Sequence, residues 1–487
     1  MSDYPWKTPP FSHQREWWEK TRALPAWGIL WEQGTGKSKL TVDTAAWLYL
    51  NKRIEGLVII APNGVYRNWT VNELPTHLPD VVAEQTKSLL WETAKASTKR
   101  FQAAAKEVQE HRGLAVLVMS YHGIMTEAGD KFLHKFLTER RCMMVLDESA
   151  RIKEPRVKWT IRSLARGKAA VFRRILTGTP VANSPFDVFT QFAFLHPDIW
   201  DSIGCRAYAA FKNYFGVFAS KMDPRSGRLY QDLVRYRNLN KLGEMTQAVS
   251  CRVLKDDVLD LPPKLYTKRY FTMSAEQARA YEDMKESYLL RFESGEVDAM
   301  LAIVQLLRFQ QIVSGFVPTR MEDGSDGPVK HFDNPRLRLL REIVEDTPGK
   351  FIVWAKFRQD IDSIMAALKE DGVEAVRFDG AVGDEERAEA IVRFQTGTAR
   401  AFVANPAVGA EGITLTAART VIYYNNSFKL TDRLQSEDRA HRIGQRNAVT
   451  YFDLVATDTV DEKIVEALRN KVDIASVITG DKLKEWI

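Results

Sequence analysis

Gly34-Thr-Gly-Lys-Ser38 stands directly after the apolar run Trp27–Trp31 and ahead of a stretch of helical periodicity. The spacing predicts a glycine-rich turn that opens a helix near Lys39. Glycines at 34 and 36 let the backbone around Thr35 fold so that its N–H groups face phosphate oxygens. In that geometry the Lys37 ammonium neutralises the β- and γ-phosphates and the Ser38 hydroxyl ligates Mg²⁺. One glycine of the strict pattern is missing, because Trp31 holds its position.

Phosphate chemistry needs acids as well. Met143-Met-Val-Leu-Asp147-Glu148 reads as an apolar strand ending in two carboxylates, 110 residues after Lys37. Asp147 would hold Mg²⁺, directly or through water, and Glu148 would orient and deprotonate the attacking water. Positive charge at the γ-phosphate in the transition state is the remaining requirement. Arg439 and Arg442, three apart and expected on one helix face, are the candidate arginine fingers.

The elements that must position these residues follow from short runs rich in Val, Ile and Phe. In the first half they are Trp27–Trp31, Leu57–Ala61, Leu114–Ser120, Cys142–Leu146 and Arg174–Leu176. In the second half they are Phe351–Ala355, Val376–Phe378, Ala401–Ala404, Val421–Tyr424 and Thr450–Leu454. Uniformly apolar runs this short fit strands covered on both faces of a parallel sheet, with helical crossovers between them. The fold class is therefore α/β, with two such domains. Between roughly 190 and 335 the strand rhythm disappears and helical spacing dominates, as over Gln277–Met284 and Met300–Val313. Glu322-Asp-Gly-Ser-Asp-Gly-Pro328 reads as a loop or hinge. From Asp461 an amphipathic helix is expected, with Ile464, Leu468 and Val472 on one side.

Composition bounds the partners. A formal net charge of +6 over 487 residues permits a polyanion without demanding one, and 45% apolar residues exclude a disordered chain. The charge is unevenly placed: Arg151–Arg174 holds nine Lys/Arg and one Glu. Lys158, Arg162 and Arg166 recur at i, i+4 and i+8, where like charges repel by a few tenths of a kcal/mol per pair. That stripe is either a face for a bound polyanion or a helix whose arginines pair with acids elsewhere. The three cysteines form no C-x-x-C pattern and point to a reducing compartment. The N-terminus has no signal-peptide pattern, and no apolar stretch is long enough to cross a membrane. The expectation is an intracellular protein, cytoplasmic or nucleoid-associated. Of the tryptophans, Trp17, Trp18, Trp27, Trp31 and Trp47 are expected in the core.

Taken in order, these residues resemble a Swi/Snf-family (switch/sucrose-nonfermenting) ATPase of helicase superfamily two. His13-Gln14-Arg15-Glu16 is similar to the adenine-reading glutamine motif and Glu32–Ser38 to motif I. Ile60-Ala-Pro-Asn63 with Asn68-Trp69 is similar to the DNA-contacting motif Ia. Asp147-Glu-Ser-Ala-Arg-Ile-Lys153 resembles D-E-A-H-R-I-K, and Leu176-Thr-Gly-Thr-Pro180 resembles motif III. Cys251–Val258 with Leu261–Lys264 looks like the lobe-joining segment, and Leu306–Ile312 like the helix after it. Phe378-Asp-Gly380, Gly412–Ala418 and Asp438-Arg-Ala-His-Arg-Ile-Gly-Gln445 complete the set, the last being the most specific.

The resemblance implies two RecA-like parallel-sheet lobes (1–190 and 336–460), helical protrusions and a joining segment (191–335), and a C-terminal helical brace (461–487). It implies ATP and Mg²⁺ bound between the lobes, with Gln14, Gly34, Thr35, Gly36, Lys37, Ser38, Gly412 and Gln435 contacting nucleotide. Pro62, Asn63, Trp69 and Thr179 would contact DNA, beside the Lys158, Arg162 and Arg166 stripe. The expected function is ATP-dependent translocation on double-stranded DNA by a monomer with no membrane partner. An ATP-gated DNA clamp, or the motor of a restriction, defence or fork-remodelling system with a protein partner, are the alternatives. Ser149-Ala150 departs from the family's Ala-His, and Gly409-Ala410 from a glycine pair, which puts coupling to DNA in doubt.

Overall fold

The computed structural model describes residues 4–63, 65–222, 229–293, 299–320, 326–409 and 413–479. The chain forms two compact units, the first from Met1–Val217, Arg235–Asp260 and Ile474–Lys482, the second from Phe218–Val234 and Leu261–Asp473. The described residues between 191 and 335 divide between these two units.

The first unit is built on β1 (Ala26–Trp31), β2 (Gly56–Ala61), β3 (Thr86–Leu90), β4 (Leu114–Ser120), β5 (Cys142–Asp147) and β6 (Phe172–Leu176). β7 (Gly216–Met222) and β8 (Leu229–Tyr236) form a two-stranded sheet that falls mostly within the second unit, and β9 (Ser250–Val253) returns to the first unit's sheet. Strand order is β3-β4-β2-β5-β6-β1-β9, every pairing parallel. β2 and β4 are buried along their whole length, as expected of strands covered by helices on both faces. Trp31, Leu40, Ala45, Leu57, Val116 and Val145 centre one core on this sheet.

The second unit carries β10 (Lys264–Phe271), the antiparallel pair β11 (Phe316–Arg320) and β12 (Asp326–His331), β13 (Phe351–Trp354), β14 (Ala375–Phe378), β15 (Ala401–Ala404), β16 (Thr420–Tyr423) and β17 (Val449–Ala456). Its parallel sheet runs β10-β17-β16-β13-β15-β14. Separate cores cover its two faces, one around Phe351, Ile361 and Ile464, the other around Trp354, Phe402 and Tyr451. The helical periodicities correspond to Ala275–Glu293 and Ala299–Val313, and the C-terminal one to Val460–Thr479.

The segment from 190 to 335 is less helical than its spacing suggests. β9 and β10 each occupy a sheet edge, and β3, also unanticipated, occupies a third. Edge strands face solvent on one side and so lack the apolar runs of central ones: β3 has two exposed residues in a row and one buried, and β10 alternates exposed and half-buried residues over its first half. No helix among the described residues is long and apolar enough to cross a membrane.

Candidate active site

Parallel strands of the first unit deliver their loops to one edge of the sheet, the carboxyl edge where α/β proteins bind ligands. After β1 the chain turns through Gly34 (φ 81°) and Gly36 (φ 86°), left-handed conformations that side chains disfavour. The helix Lys37–Leu50 then begins at Lys37, two residues before the expected start, because Gly36 itself caps it. The Thr35 hydroxyl donates to the Glu32 carbonyl at 2.7 Å, closing the turn. Lys37 Nζ donates to the carbonyls of Trp31 at 3.0 Å and Glu32 at 3.2 Å, so the ammonium sits inside the curve of the loop.

The helix Ser12–Thr21 leans on that loop. His13 Nε2 lies 2.9 Å from the Thr35 carbonyl, and Gln14 Nε2 donates to the same oxygen at 3.3 Å. Gln14 Oε1 accepts from the Phe11 N–H at 2.9 Å, so both ends of the amide are engaged. A Cβ at position 36 would fall 1.9 Å from Gln14 Nε2; glycine is what lets the two segments meet. An aromatic cluster holds the helix in place: Trp18 packs on Tyr4 and Trp6 at 4.7 Å each, and on Trp47 at 6.4 Å. The tryptophans near the N-terminus are packing residues, as expected.

β5 carries Asp147 to the same edge, paired in register with Leu176 of β6. Asp147 Oδ2 accepts from the Trp69 indole N–H at 2.9 Å and Oδ1 from the Glu148 N–H at 3.0 Å. The Tyr121 hydroxyl donates to the Asp147 carbonyl at 2.9 Å. Burial pushes the Asp147 carboxyl above the usual carboxylate range, against the opposing pull of the Trp69 N–H and the Lys37 ammonium. Glu148 adopts φ 49°, a costly conformation for a residue with a side chain and one that concentrates at functional sites. Its carboxylate accepts from Gln33 Nε2 at 3.3 Å and lies 3.5 Å from the Thr177 hydroxyl. The phosphate-type loop, the two acids and the turn after β6 are thus joined by side-chain hydrogen bonds. The half-buried Ser38 lies in the first turn of the helix that follows the loop.

Further bonds tie the loop to the segment around Cys251–Val258. Glu32 accepts from the Lys255 N–H at 2.7 Å, and Arg252 donates to the carbonyls of Leu30 and Gly178 at 2.6 and 3.0 Å. The resemblance marked 251–258 as a joining segment; the contact with the loop could be read only from three-dimensional pairing. Trp69 is the clearest revision. It is 2% exposed and bonded to Asp147, so its indole is closed to a stacked base.

The basic stripe is revised too. Lys158, Arg162 and Arg166 do share the helix Lys158–Gly167, but they face Glu127 and Asp130 in the helix Glu127–Thr138. Arg166 grips Asp130 with two bonds of 2.8 and 2.7 Å. Arg162 donates to the carbonyls of Ile124 and Thr126 at 2.9 Å each and pairs with Glu127. Lys158 lies 3.5 Å from Glu127 and stays exposed. These arginines are paired within the protein, which is the second of the two readings. Pro62 is buried, Asn63 exposed and Thr179 half-buried, all following strands at the carboxyl edge.

In the second unit the helix Leu430–Ala440 stops before Arg442, so the two arginines do not share a helix face. They converge nonetheless, since Arg439 and Arg442 each donate to the Ile413 carbonyl, at 3.2 and 3.3 Å. Gln435, half-buried, lies one turn before Arg439. Gly412 and Ala410 lie outside the described residues. A buried network anchors the helix: Arg433 binds Glu437 at 2.8 Å and Asp453 at 2.9 Å, and Lys264 and Tyr266 reach Glu437 at 3.1 and 2.7 Å. His441 Nε2 lies 2.7 Å from the Pro262 carbonyl, a structural contact. A separate cleft of about 460 Å³ opens among Arg358, Asp379, Gly380, Ala381, Asn405 and Ala407, beyond the carboxyl ends of β13, β14 and β15.

A phosphate-type loop, a strand-end Asp-Glu pair and two parallel-sheet units define a helicase-type ATPase. The SNF2-related domain matches residues 16–313 and the helicase conserved C-terminal domain matches residues 335–444. The chain belongs to the SNF2-related family of helicase-like ATPases. It is 27% identical over 470 residues to the human SWI/SNF-related matrix-associated actin-dependent regulator of chromatin subfamily A member 1, covering 92% of this chain and 41% of that protein. It is 25% identical over 466 residues to the mouse DNA annealing helicase and endonuclease ZRANB3, covering 93% of this chain and 39% of the relative. The chain thus spans about two-fifths of these relatives. A solved Sulfolobus solfataricus SWI2/SNF2 ATPase core in complex with dsDNA is similar at 22% identity and a TM-score of 0.43, over 99% of this chain and 95% of that one.

Proposed function

We propose that this chain is an ATP-dependent translocase on double-stranded DNA with little sequence specificity. The observation that carries the reading is the placing of the Asp147-Glu148 pair against the Gly34–Ser38 loop, with Glu148 held by Gln33 and Thr177 and Asp147 within the field of the Lys37 ammonium, in a chain of the SNF2-related family. Lys37 neutralises phosphate charge by exchanging the carbonyls of Trp31 and Glu32 for phosphate oxygens. Ser38 and Asp147 would be the residues to hold Mg²⁺, since both offer hard oxygen donors of the kind it prefers. Both Asp147 oxygens are already oriented by one N–H each and keep free lone pairs. When bound, the metal offsets charge on the transferred phosphoryl group. Glu148 orients the attacking water and takes its proton, and Arg439 and Arg442 supply the remaining positive charge.

DNA is engaged chiefly through phosphates, which suits movement over any sequence. The relatives, named as a chromatin regulator and a DNA annealing helicase, support duplex DNA as the track. The test is ATP hydrolysis with and without duplex DNA, run beside displacement of a third strand from a triplex. Duplex-stimulated hydrolysis with displacement is expected. DNA binding without turnover would replace the motor by an ATP-gated clamp.

A further inference from the structure

The family's Ala-His is Ser149-Ala150 in this chain, and the structure puts another connection there. Ser149 is fully buried in the 3₁₀ turn Ser149–Ile152 and donates its hydroxyl proton to Gln191 Oε1 at 2.8 Å. Gln191, also fully buried, lies on the helix Val188–Leu195. Its amide nitrogen donates to the carbonyls of Pro180 and Asp187, both at 2.8 Å. Reversing the amide would set its oxygen against two carbonyls, so one orientation alone satisfies every atom.

The contacts close a ring. Glu148 Oε2 lies 3.5 Å from the Thr177 hydroxyl, which in turn accepts from the Thr179 N–H at 3.1 Å. Pro180 follows Thr179, Gln191 binds Pro180, Ser149 binds Gln191, and Ser149 is covalently next to Glu148. Glu148 needs such support, because its φ of 49° persists only where neighbours over-determine it. Thr177 holds its carboxylate from one side and the Ser149–Gln191 pair holds its backbone from the other.

We infer that Ser149 and Gln191 are positioning residues that fix Glu148 to the Thr177–Pro180 loop, so that a shift of the loop reaches the water-orienting carboxylate. This rests on the reading of the chain as a DNA-dependent ATPase in which Glu148 orients water. The relay starts at Ser149, one residue before the position where the family carries its histidine and this chain carries Ala150, and neither residue is used to touch nucleotide.

The test measures kcat and KM for ATP, with and without duplex DNA, in wild type, Ser149→Ala, Gln191→Leu and the double variant. Stimulation of the wild type by duplex tests the functional reading. The variant-to-wild-type ratio of kcat, taken in whichever condition is faster, tests the relay, so the two can fail separately. Each single change is expected to lower kcat about ten-fold while KM for ATP stays within about two-fold, and the double is no worse than the deeper single, because members of one unit are non-additive. An unchanged kcat in Ser149→Ala overturns the relay. So does a double variant whose loss is the product of the two singles. If Gln191→Leu does not fold, Ser149→Ala, which removes one hydroxyl and adds no bulk, decides the matter by the same kcat-against-KM comparison.

Discussion

Trp69 shows how a residue's surroundings redirect the chemistry suggested by its type. Beside a DNA-contacting motif it reads as a base-stacking platform, whereas its indole N–H is spent on Asp147 Oδ2 at 2.9 Å. Trp69→Phe keeps the ring in the core and removes that donor, which stabilises the ionised carboxylate. With a hydrogen bond to a charged group worth about 1.5–3 kcal/mol, kcat at neutral pH should fall by roughly ten-fold or more. An unchanged kcat in Trp69→Phe would contradict the positioning role. Gly36 carries a second expectation. Gly36→Ala puts a Cβ 1.9 Å from Gln14 Nε2 at a φ of 86°, so nucleotide binding measured by titration should be lost.

At the scale of elements, the helix Lys158–Gly167 is where charge counting and pairing part company. Its arginines stabilise the adjoining helix Glu127–Thr138 by satisfying Asp130, whose side chain is 10% exposed. Arg166→Gln leaves that carboxylate short of partners, at a cost of about 1–3 kcal/mol, and should lower Tm by roughly 2–10 °C in a calorimetric scan. The exposed Lys158→Gln should change Tm by less than about 1 °C. Central strands and the loop they serve were legible in the sequence, because burial on both faces leaves an uninterrupted apolar run, as in β2, β4 and β5. Three edge strands were not, since β3, β9 and β10 mix polar residues among their apolar ones. Lys37, Asp147 and Glu148 were legible from type and spacing. Trp69, Gln191 and Glu32 were not, because their roles depend on partners 78, 42 and 223 residues away.

Over the whole molecule, the modest charge of +6 hides interior ion pairs that set how the protein responds to pH and salt. Burial alone would raise the Glu437 carboxyl, but Lys264 and Arg433 overcome it and hold it at about 2, below its ordinary value of 4.5. A depressed carboxyl contributes stability that is complete above about 4.5 and is lost as pH falls toward about 2. Acid unfolding followed by circular dichroism should steepen in that window, and Glu437→Gln should flatten it while destabilising the protein at neutral pH. Phosphate tracking predicts a different dependence, a steep decline of duplex-stimulated hydrolysis with salt as counterions compete. The most direct test of the central claim is steady-state ATP hydrolysis by the wild type and Glu148→Gln, with and without duplex DNA. Duplex DNA should accelerate the wild type, and Glu148→Gln should lose at least about a hundred-fold in both conditions, since a positioned base contributes about 10²–10⁴. A wild-type rate indifferent to duplex DNA, or a Glu148→Gln enzyme as fast as the wild type, would contradict the account.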